Sequence, residues 1–160
     1  MSTAVVVVLL FVVSAVVAAT VVVRTQKRKF AEANVVVPGT GSKAPAEWAG
    51  AHTPEARLHR RLRDAVAAVR ANPAMEDAFM MDARVSLEQQ ALAVDERLIA
   101  VAALPESVRT EPMASLTAAV DAVEAAVAAL ASGPAARSSL DQAMSEVADR
   151  VAQLEQGGTV

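Results

Sequence analysis

The chain has 160 residues, a formal net charge of −3 and a hydrophobic fraction of 54%, which is enough length for one modest domain with additional segments. Aromatic residues make up only 2% of it, so its core must be built from Leu, Val, Met and Ala. The chain contains no cysteine, which excludes a disulfide framework, a thiolate metal site and a cysteine nucleophile.

The net charge conceals an uneven distribution along the chain. Residues 24–73 carry ten Lys and Arg against four Asp and Glu, which gives +6, whereas residues 74–160 carry five against fourteen, which gives −9. This division predicts either attraction between the two parts of the chain or a basic face turned toward anionic lipid.

The N-terminal segment contains a long apolar run. Thr3 to Val23 holds 21 residues without a charge, and at about 1.5 Å of rise per residue a helix of this length spans the roughly 30 Å of a hydrocarbon core. We therefore predict a transmembrane anchor over residues 1–23. A cleaved signal peptide is the competing interpretation, and it is disfavoured because no Lys or Arg precedes the run and the run is longer than the apolar region of a signal.

A basic cluster follows the run directly and consists of Arg24, Lys27, Arg28 and Lys29. Because positive residues are retained on the cytoplasmic side, the cluster predicts that the N-terminus lies outside and the rest of the chain lies in the cytoplasm. The same four residues are candidates for contact with lipid headgroups. The predicted location is the plasma membrane, crossed once, and the lipid bilayer is the first predicted partner.

Residues 24–52 are rich in Gly, Pro and Ala without sustained periodicity, which predicts a basic juxtamembrane segment and a flexible linker. Within it, PGTGSK at 38–43 looks like a phosphate-binding loop, but its glycines are two apart and its Ser precedes its Lys. Since the spacing that cradles phosphates is absent, we predict no nucleotide cofactor. Trp48 is expected to dock on the following domain, with contact to lipid or to a partner as the alternatives.

Four segments with a core-facing apolar stripe follow. Thr53-Pro54-Glu55 begins the first with an N-cap, a first-turn proline and a first-turn acid. Apolar residues then recur at intervals of 3 and 4, the spacing of one helix face, and Pro73, Pro105 and Gly133-Pro134 separate the segments. The predicted seams are Leu58, Leu62, Ala65 and Val69; Leu87, Ala91, Val94, Leu98 and Val101; Met113, Leu116, Val120, Val123, Val127 and Leu130; and Leu140, Met144, Val147, Val151 and Leu154.

These patterns predict an all-α fold that begins with an N-terminal transmembrane helix and a linker. Residues 53–156 are predicted to form an Ala-rich antiparallel four-helix bundle of two helical hairpins, and residues 157–160 a tail. In the third segment the only charges over residues 113–132 are Asp121 and Glu124. Each acid at a bilayer centre costs about 2.5 to 3.5 kcal/mol, so this segment is predicted to be an interior helix of the bundle rather than a second span.

Residue types that support catalysis are scarce. Glu55 and His59 lie one helical turn apart, which is similar to half of a carboxylate-histidine metal site, but di-metal bundles use such pairs on two helices and the adjacent arginines repel a cation. The chain has no tyrosine, and no serine lies in a nucleophile-elbow context. We predict no catalytic residue, no metal, no cofactor and no small-molecule substrate. A hidden hydrolase or metal-dependent activity at Glu55 and His59 is the enzymatic alternative.

The first helical segment carries a concentration of arginines that includes Arg57, Arg60, Arg61 and Arg63. The default interpretation is a solvated face whose arginines pair with acids of the other helices. The alternative is contact with anionic headgroups or with an acidic protein partner, to which Trp48 would contribute. Nucleic acid is disfavoured because the rest of the domain is acidic and lacks interleaved aromatic residues.

The layout, a short N-terminal span followed by a cytoplasmic helical bundle, resembles that of the LemA family. The resemblance covers layout alone, because that family's sequence signature is not found around Trp48 or in the first bundle helix, and no residue or function is carried over from it. The leading hypothesis is a single-pass membrane protein whose bundle is a non-enzymatic interaction or scaffold module that binds a protein partner or a second copy of the chain. The alternative is an anionic-lipid-binding protein of the membrane surface.

Overall fold

The computed structural model describes residues 34–72, 78–132 and 137–157, and within these ranges it contains helices and no strand. The predicted all-α fold with four helices is therefore confirmed for this part of the chain. The predicted anchor over residues 1–23 and the basic cluster of Arg24, Lys27, Arg28 and Lys29 lie outside the described residues. The α-helices are α1 (Pro54–Arg70), α2 (Ala78–Ala102), α3 (Thr110–Ala131) and α4 (Arg137–Gln156), and two 3-10 helices span Ala46–Ala49 and Glu106–Val108.

Helix α1 begins where the sequence predicts. The side chain of Thr53 accepts a hydrogen bond from the backbone N–H of Ala56 at 3.3 Å, which satisfies one of the unpaired donors of the first turn. Pro54 occupies the first helical position, where its missing N–H costs nothing. Glu55 places negative charge beside the positive end of the helix dipole.

The side-chain pairs between α1 and α2 define their relative direction. Arg70, at the end of α1, binds Glu88 in the first half of α2 at 2.8 Å. His59, near the start of α1, lies 2.6 Å from Asp95 in the second half of α2. The two helices therefore run antiparallel and form the first hairpin.

A second set of contacts relates α1 to α3. Arg109, which directly precedes α3, binds Glu55 at the start of α1 at 2.8 Å, and Arg61 further along α1 binds Glu124 further along α3 at 2.6 Å. These helices therefore run in the same direction. Since α4 follows α3 after a short connection and packs against it more extensively than any other helix pair packs, the second hairpin lies beside the first.

Helices α2 and α3 lie across the short diagonal of the bundle, because each contacts all three other helices, whereas α1 and α4 make no extensive contact with each other. The core between them follows the predicted seams. All seam residues of α1 and α2 are buried, and those of α3 and α4 are buried or partly buried against the core. Apolar residues spaced by 3 and 4 form one stripe on each helix, and burial of that stripe determines which face of each helix is turned to the core.

Among the described residues, α3 is the one helix that is long and apolar enough to cross a membrane, with 22 residues and a mean hydropathy of 1.6. A core helix of a soluble protein meets the same test. Here α3 contacts the other three helices, and its acids Asp121 and Glu124 pair with Arg61. Its position in the structure is that of an interior bundle helix.

The sequence predicts a flexible linker up to residue 52, whereas the structure packs residues 34–51 along the bundle; we call this segment the strap. Val36, Val37 and Trp48 are buried and belong to the hydrophobic core. Asn34 is also buried, and its Nδ2 donates to the carbonyl oxygen of Pro45 at 2.8 Å. The linker prediction is corrected here, because these apolar side chains are buried against the bundle although the strap has no α-helix and only the short 3-10 helix that carries Trp48.

A tight turn lies where the sequence looks like a phosphate-binding loop. Gly39 has φ of +95°, and the backbone N–H of Thr40 donates to the carbonyl oxygen of Val37 at 3.1 Å. Pro38 followed by a glycine with positive φ is the residue order of a type II turn. The glycine therefore serves the reversal of the chain within the strap.

Candidate functional site

Trp48 lies inside the structure and not on its surface. Its side chain is 6% exposed, and its ring meets the ring of His59 edge to face, with centroids 5.4 Å apart and planes at 61°. This geometry is a favourable one for two aromatic rings. The docking interpretation of Trp48 therefore holds, and its prediction as a lipid or partner contact is corrected, because the ring is not presented to solvent.

Arg60, predicted as a candidate for partner or lipid contact, binds the strap instead. Its Nη1 donates to the backbone carbonyl oxygens of Trp48 at 2.8 Å and Ala51 at 2.7 Å. Lys43 of the strap also pairs with Glu96 of α2 at 2.9 Å, although both side chains are exposed. Arg60 is thus an internal structural residue that fixes the strap to α1.

Arg61 also makes an internal contact. Its guanidinium donates to both carboxylate oxygens of Glu124, at 2.9 and 2.6 Å, and to Asp121 at 2.6 Å. The hydrogen bond with Glu124, and then the one with Asp121, raise the pKa of Arg61 above its usual value. The default interpretation of the basic face therefore applies to this residue, which joins α1 to α3 through a two-pronged pair.

The other two predicted arginines differ from each other. Arg63 pairs with its neighbour Asp64 at 2.7 Å. Arg57 is exposed, has no acidic partner within the described ranges, and lines an open groove of about 490 Å³ between α1 and α3. Of the four predicted arginines, Arg57 is the one whose charge is left to solvent or to a ligand.

A buried polar pair lies beneath Trp48. Nδ1 of His59 is 2.6 Å from Oδ1 of Asp95, and the two residues are 0% and 5% exposed. With an ionised carboxylate, Nδ1–H is the donor. Nε2 of His59 is buried and has no hydrogen-bond partner among the described residues.

The sequence prediction that linked Glu55 with His59 is corrected by the structure. Glu55 binds Arg109 at 2.8 Å, whereas His59 faces Asp95 on α2. A signal for the true pair was present, because Asp95 follows the seam residue Val94 directly and therefore borders the core-facing stripe. A histidine and an acid that each border a seam on antiparallel helices are well placed to meet.

A histidine oriented by a carboxylate can act as a general base when its second nitrogen reaches a substrate. In this structure the second nitrogen is sealed from solvent, and the ring of Trp48 packs against the imidazole. No group of three or more His, Asp or Glu residues that could hold a metal ion occurs within the described part of the chain. The contact between His59 and Asp95 joins α1 to α2 inside the core, where a shift in register would leave both side chains without a partner.

Two open grooves meet at Arg97 of α2, and each has a volume of about 290 Å³. Together we call them the Arg97 groove. Both are also lined by Leu154 of α4. The remaining residues of the first are Ala93, Glu96, Ala100, Val151 and Glu155, and those of the second are Glu111, Pro112, Ser115, Gln153 and Gly157.

The charges in the Arg97 groove are not paired with one another. Nε of Arg97 is buried without a hydrogen-bond partner, and Arg97 has no ion pair within the described residues. Glu155 and Glu111 are exposed, and neither carboxylate has a cationic partner in that part of the chain. The groove therefore combines an apolar floor with an unpaired cation and unpaired anions.

No protein-family model, no curated protein and no solved structure matches this chain. The resemblance to the LemA family is one of layout alone.

Proposed function

We propose that this chain is a single-pass membrane protein whose helical bundle is a non-enzymatic interaction or scaffold module at the cytoplasmic face of the plasma membrane. The observation that carries the proposal is the packed strap. With residues 34–51 held on the bundle by Trp48 and Arg60, only the ten residues 24–33 separate the predicted anchor from the packed domain. Fully extended, ten residues reach about 35 Å.

A tether of this length keeps the bundle beside the membrane and limits its orientations. A flexible linker of all residues from 24 to 52 would leave it free to rotate. A bundle held in this way, with an open groove that contains unpaired charges at Arg97 and Glu155, has the properties expected of a module that meets other membrane-bound chains. These features support the interaction function.

The absence of cysteine makes the topology directly testable with single-cysteine variants of the full chain. Ser2→Cys lies before the apolar run, and Ser145→Cys lies on the exposed side of α4. We expect a membrane-impermeant maleimide to label Ser2→Cys in intact cells and Ser145→Cys only after permeabilisation. Labelling of Ser145→Cys in intact cells, or release of the chain from membranes by alkaline carbonate, would contradict the proposal.

The interaction itself is tested by a photo-reactive residue at Ala100 in the Arg97 groove of the full chain. We expect discrete cross-linked species in native membranes from Ala100 and none of comparable yield from Ser145, the matched exposed position. Ser145 precedes Leu154 by nine residues, about two and a half turns, so it points away from Leu154, and it lies about 15 Å along α4 from Glu155. Equal yields from both positions would show that the groove has no specific occupant.

A second candidate function is binding of anionic lipid through Arg57 together with Arg24, Lys27, Arg28 and Lys29. The observation that favours it is the exposed guanidinium of Arg57, which has no acidic partner among the described residues. Full chains with Arg57→Ala are then expected to lose roughly 1 kcal/mol of affinity for phosphatidylserine vesicles at low salt. Vesicle binding that ignores lipid charge and salt would exclude this function.

A further inference from the structure

We propose that the Arg97 groove is the interface of a parallel homodimer in which Arg97 of each copy pairs with Glu155 of the other. This inference rests on the proposed interaction function and names its partner as a second copy of the chain. The juxtaposition behind it is an unpaired guanidinium and an unpaired carboxylate in one apolar groove.

Arg97 differs from the other half-buried arginines of the bundle. Arg60 has two carbonyl acceptors, Arg61 has two acids, and Arg70 has both oxygens of Glu88. A buried Nε without an acceptor occurs in Arg84, Arg97 and Arg109. Arg84 pairs with Glu88 and Arg109 with Glu55, whereas Arg97 has no acidic partner among the described residues. Since Nε is buried, the outer part of this half-buried guanidinium is what a carboxylate of a binding partner can reach. A pair formed there is charge-assisted and stronger than a neutral hydrogen bond.

The charges of the groove identify the partner as another copy. The groove is lined by Arg97 and by three acids, Glu96, Glu111 and Glu155, of which Glu96 already pairs with Lys43. A purely basic ligand would leave Arg97 without an acceptor, and a purely acidic ligand would be repelled by the carboxylates. A patch that contains both signs is complementary to itself, because rotation about a two-fold axis brings the positive residue of one copy to the negative residue of the other. The dimer therefore contains two equivalent ion pairs, each between Arg97 of one copy and Glu155 of the other.

The positions of Arg97 and Glu155 along the helices are compatible with two copies anchored in the same membrane. Arg97 and Glu155 line the same groove between α2 and α4, so they lie at a similar level along the bundle. A two-fold axis parallel to the helices brings residues of equal level together and keeps both N-terminal ends on the same side. Two copies that are anchored in one bilayer need this orientation, and an antiparallel dimer would not permit it.

The floor of the groove suits close approach of two helices. Ala93 and Ala100 are seven residues apart, which places them two turns apart on one face of α2. Small side chains allow the backbone of a neighbouring helix to come near, while the partly buried Val151 supplies apolar area. The area is modest, but confinement by two anchors raises the effective concentration of one bundle near the other.

The experiment uses the full chain in native membranes with a single cysteine at Ala100 and a short bis-maleimide cross-linker. We expect a cross-linked dimer from Ala100→Cys and about tenfold less from Ser145→Cys, which points away from Leu154. Because like charges face each other in the variants, Arg97→Glu or Glu155→Arg in the Ala100→Cys chain lowers the dimer yield by about tenfold. Unchanged circular dichroism of the full chain in micelles confirms that each variant is folded.

Mixing the two charge variants tests the pairing between chains. An Arg97→Glu chain and a Glu155→Arg chain complement each other at both pairs, so co-expression restores the cross-link between two differently tagged copies. A pair within one chain cannot be restored in this way. If Arg97→Glu fails to fold, an Arg97→Ala chain takes its place. The Glu155→Arg chain repels itself, whereas with the Arg97→Ala chain it forms one attractive pair, Arg97 with Glu155, and no repulsive one, so part of the dimer yield returns.

Three results overturn the dimer. The first is a cross-linked dimer yield from Ala100→Cys that equals the yield from Ser145→Cys. The second is a dimer yield that stays unchanged in the charge-reversed variants. The third is a mixture of Arg97→Glu and Glu155→Arg chains in which the dimer does not return. A photo-cross-link from Ala100 to a different protein, with no dimer, overturns the homodimer and leaves the proposed interaction function intact. Labelling of Ser145→Cys in intact cells contradicts the proposed function independently of either result.

Discussion

The two hairpins of the bundle are joined by different chemistry. Between α1 and α2, polar side chains meet inside or at the edge of the core, as in the contacts His59 to Asp95 and Arg70 to Glu88. Between α3 and α4, the described residues form no ion pair, and the side chains that these helices turn to the core are Ala, Val, Leu and Met. The apolar hairpin nevertheless has the more extensive contact.

The difference shows how register is specified in each hairpin. Alanines buried on α3, including Ala119 and Ala126, allow neighbouring helices to approach closely. Of these neighbours α4 has the most extensive contact, and close packing gains dispersion energy over a large area. Polar pairs specify the register by making other registers unfavourable, because a shift of α1 against α2 by one turn would leave Asp95 and His59 buried without partners. The first hairpin is therefore predicted to be sensitive to single polar changes, and the second to changes of side-chain volume.

The largest effect is expected for the first hairpin at its buried pair. His59→Ala leaves the carboxyl group of Asp95 buried without its partner, which costs about 3 to 5 kcal/mol of unfolding free energy when a buried pair is broken. The measurement is urea unfolding of the full chain in mild micelles, followed by circular dichroism. His52→Ala removes the exposed histidine and is the control, with an expected change within about 0.5 kcal/mol.

A double variant separates the pair from the packing of each side chain. His59→Ala with Asp95→Ala is expected to be no less stable than His59→Ala alone, since the second change removes the stranded carboxyl group. Additive losses from the two changes would show that the residues do not stabilise the fold as a pair.

The apolar hairpin is expected to respond next, to an increase of volume. Ala126→Leu inserts three carbon atoms at a fully buried position of α3, and overpacking of this kind costs about 1 to 3 kcal/mol. Ala125→Leu, at the adjacent exposed position, is the matched control and should change stability little. If Ala126→Leu is tolerated as well as Ala125→Leu, close approach is not what joins α3 to α4.

The apolar contacts of the bundle could be predicted from the sequence. The seams of α1 to α4 follow from one period, because burial of a helix face depends on local spacing that a single segment displays. The cap at Thr53 was readable for the same reason. Apolar spacing and helix caps depend on residues close together in the chain, so both can be read from the sequence alone.

The polar contacts were not readable in the same way. His59 and Asp95 are 36 residues apart, so their contact depends on which helices become neighbours and in which register. The strap was missed because its buried residues, Val36, Val37 and Trp48, have no common period and lie among Pro and Gly residues that favour turns. The unpaired state of Arg97 depends in the same way on which acids lie near it in the fold, and the sequence does not show this.

The strap provides the next test, because it covers the polar hairpin without belonging to it. Trp48→Ala removes the ring that packs against His59, and we expect the strap to open locally while α1 to α4 stay folded. A cysteine at buried Val37 is then expected to react about 30-fold faster, which corresponds to a loss of about 2 kcal/mol. A cysteine at Val94 in the helical core should keep its rate, and equal acceleration at both positions would show that strap and bundle unfold together.

The smallest effect is expected where the two hairpins meet at the surface. Arg61 contacts Asp121 and Glu124 with ideal two-pronged geometry, but its side chain is 39% exposed, so solvent weakens the pair. Arg61→Ala is therefore expected to lower the unfolding free energy by at most about 1 kcal/mol, with part of the loss removed by added salt. Arg150→Ala, which breaks only the exposed pair with Glu146 within α4, is the control. A loss from Arg61→Ala as large as that from His59→Ala would mean that surface pairing between α1 and α3, rather than the buried pair between α1 and α2, fixes the position of the first hairpin.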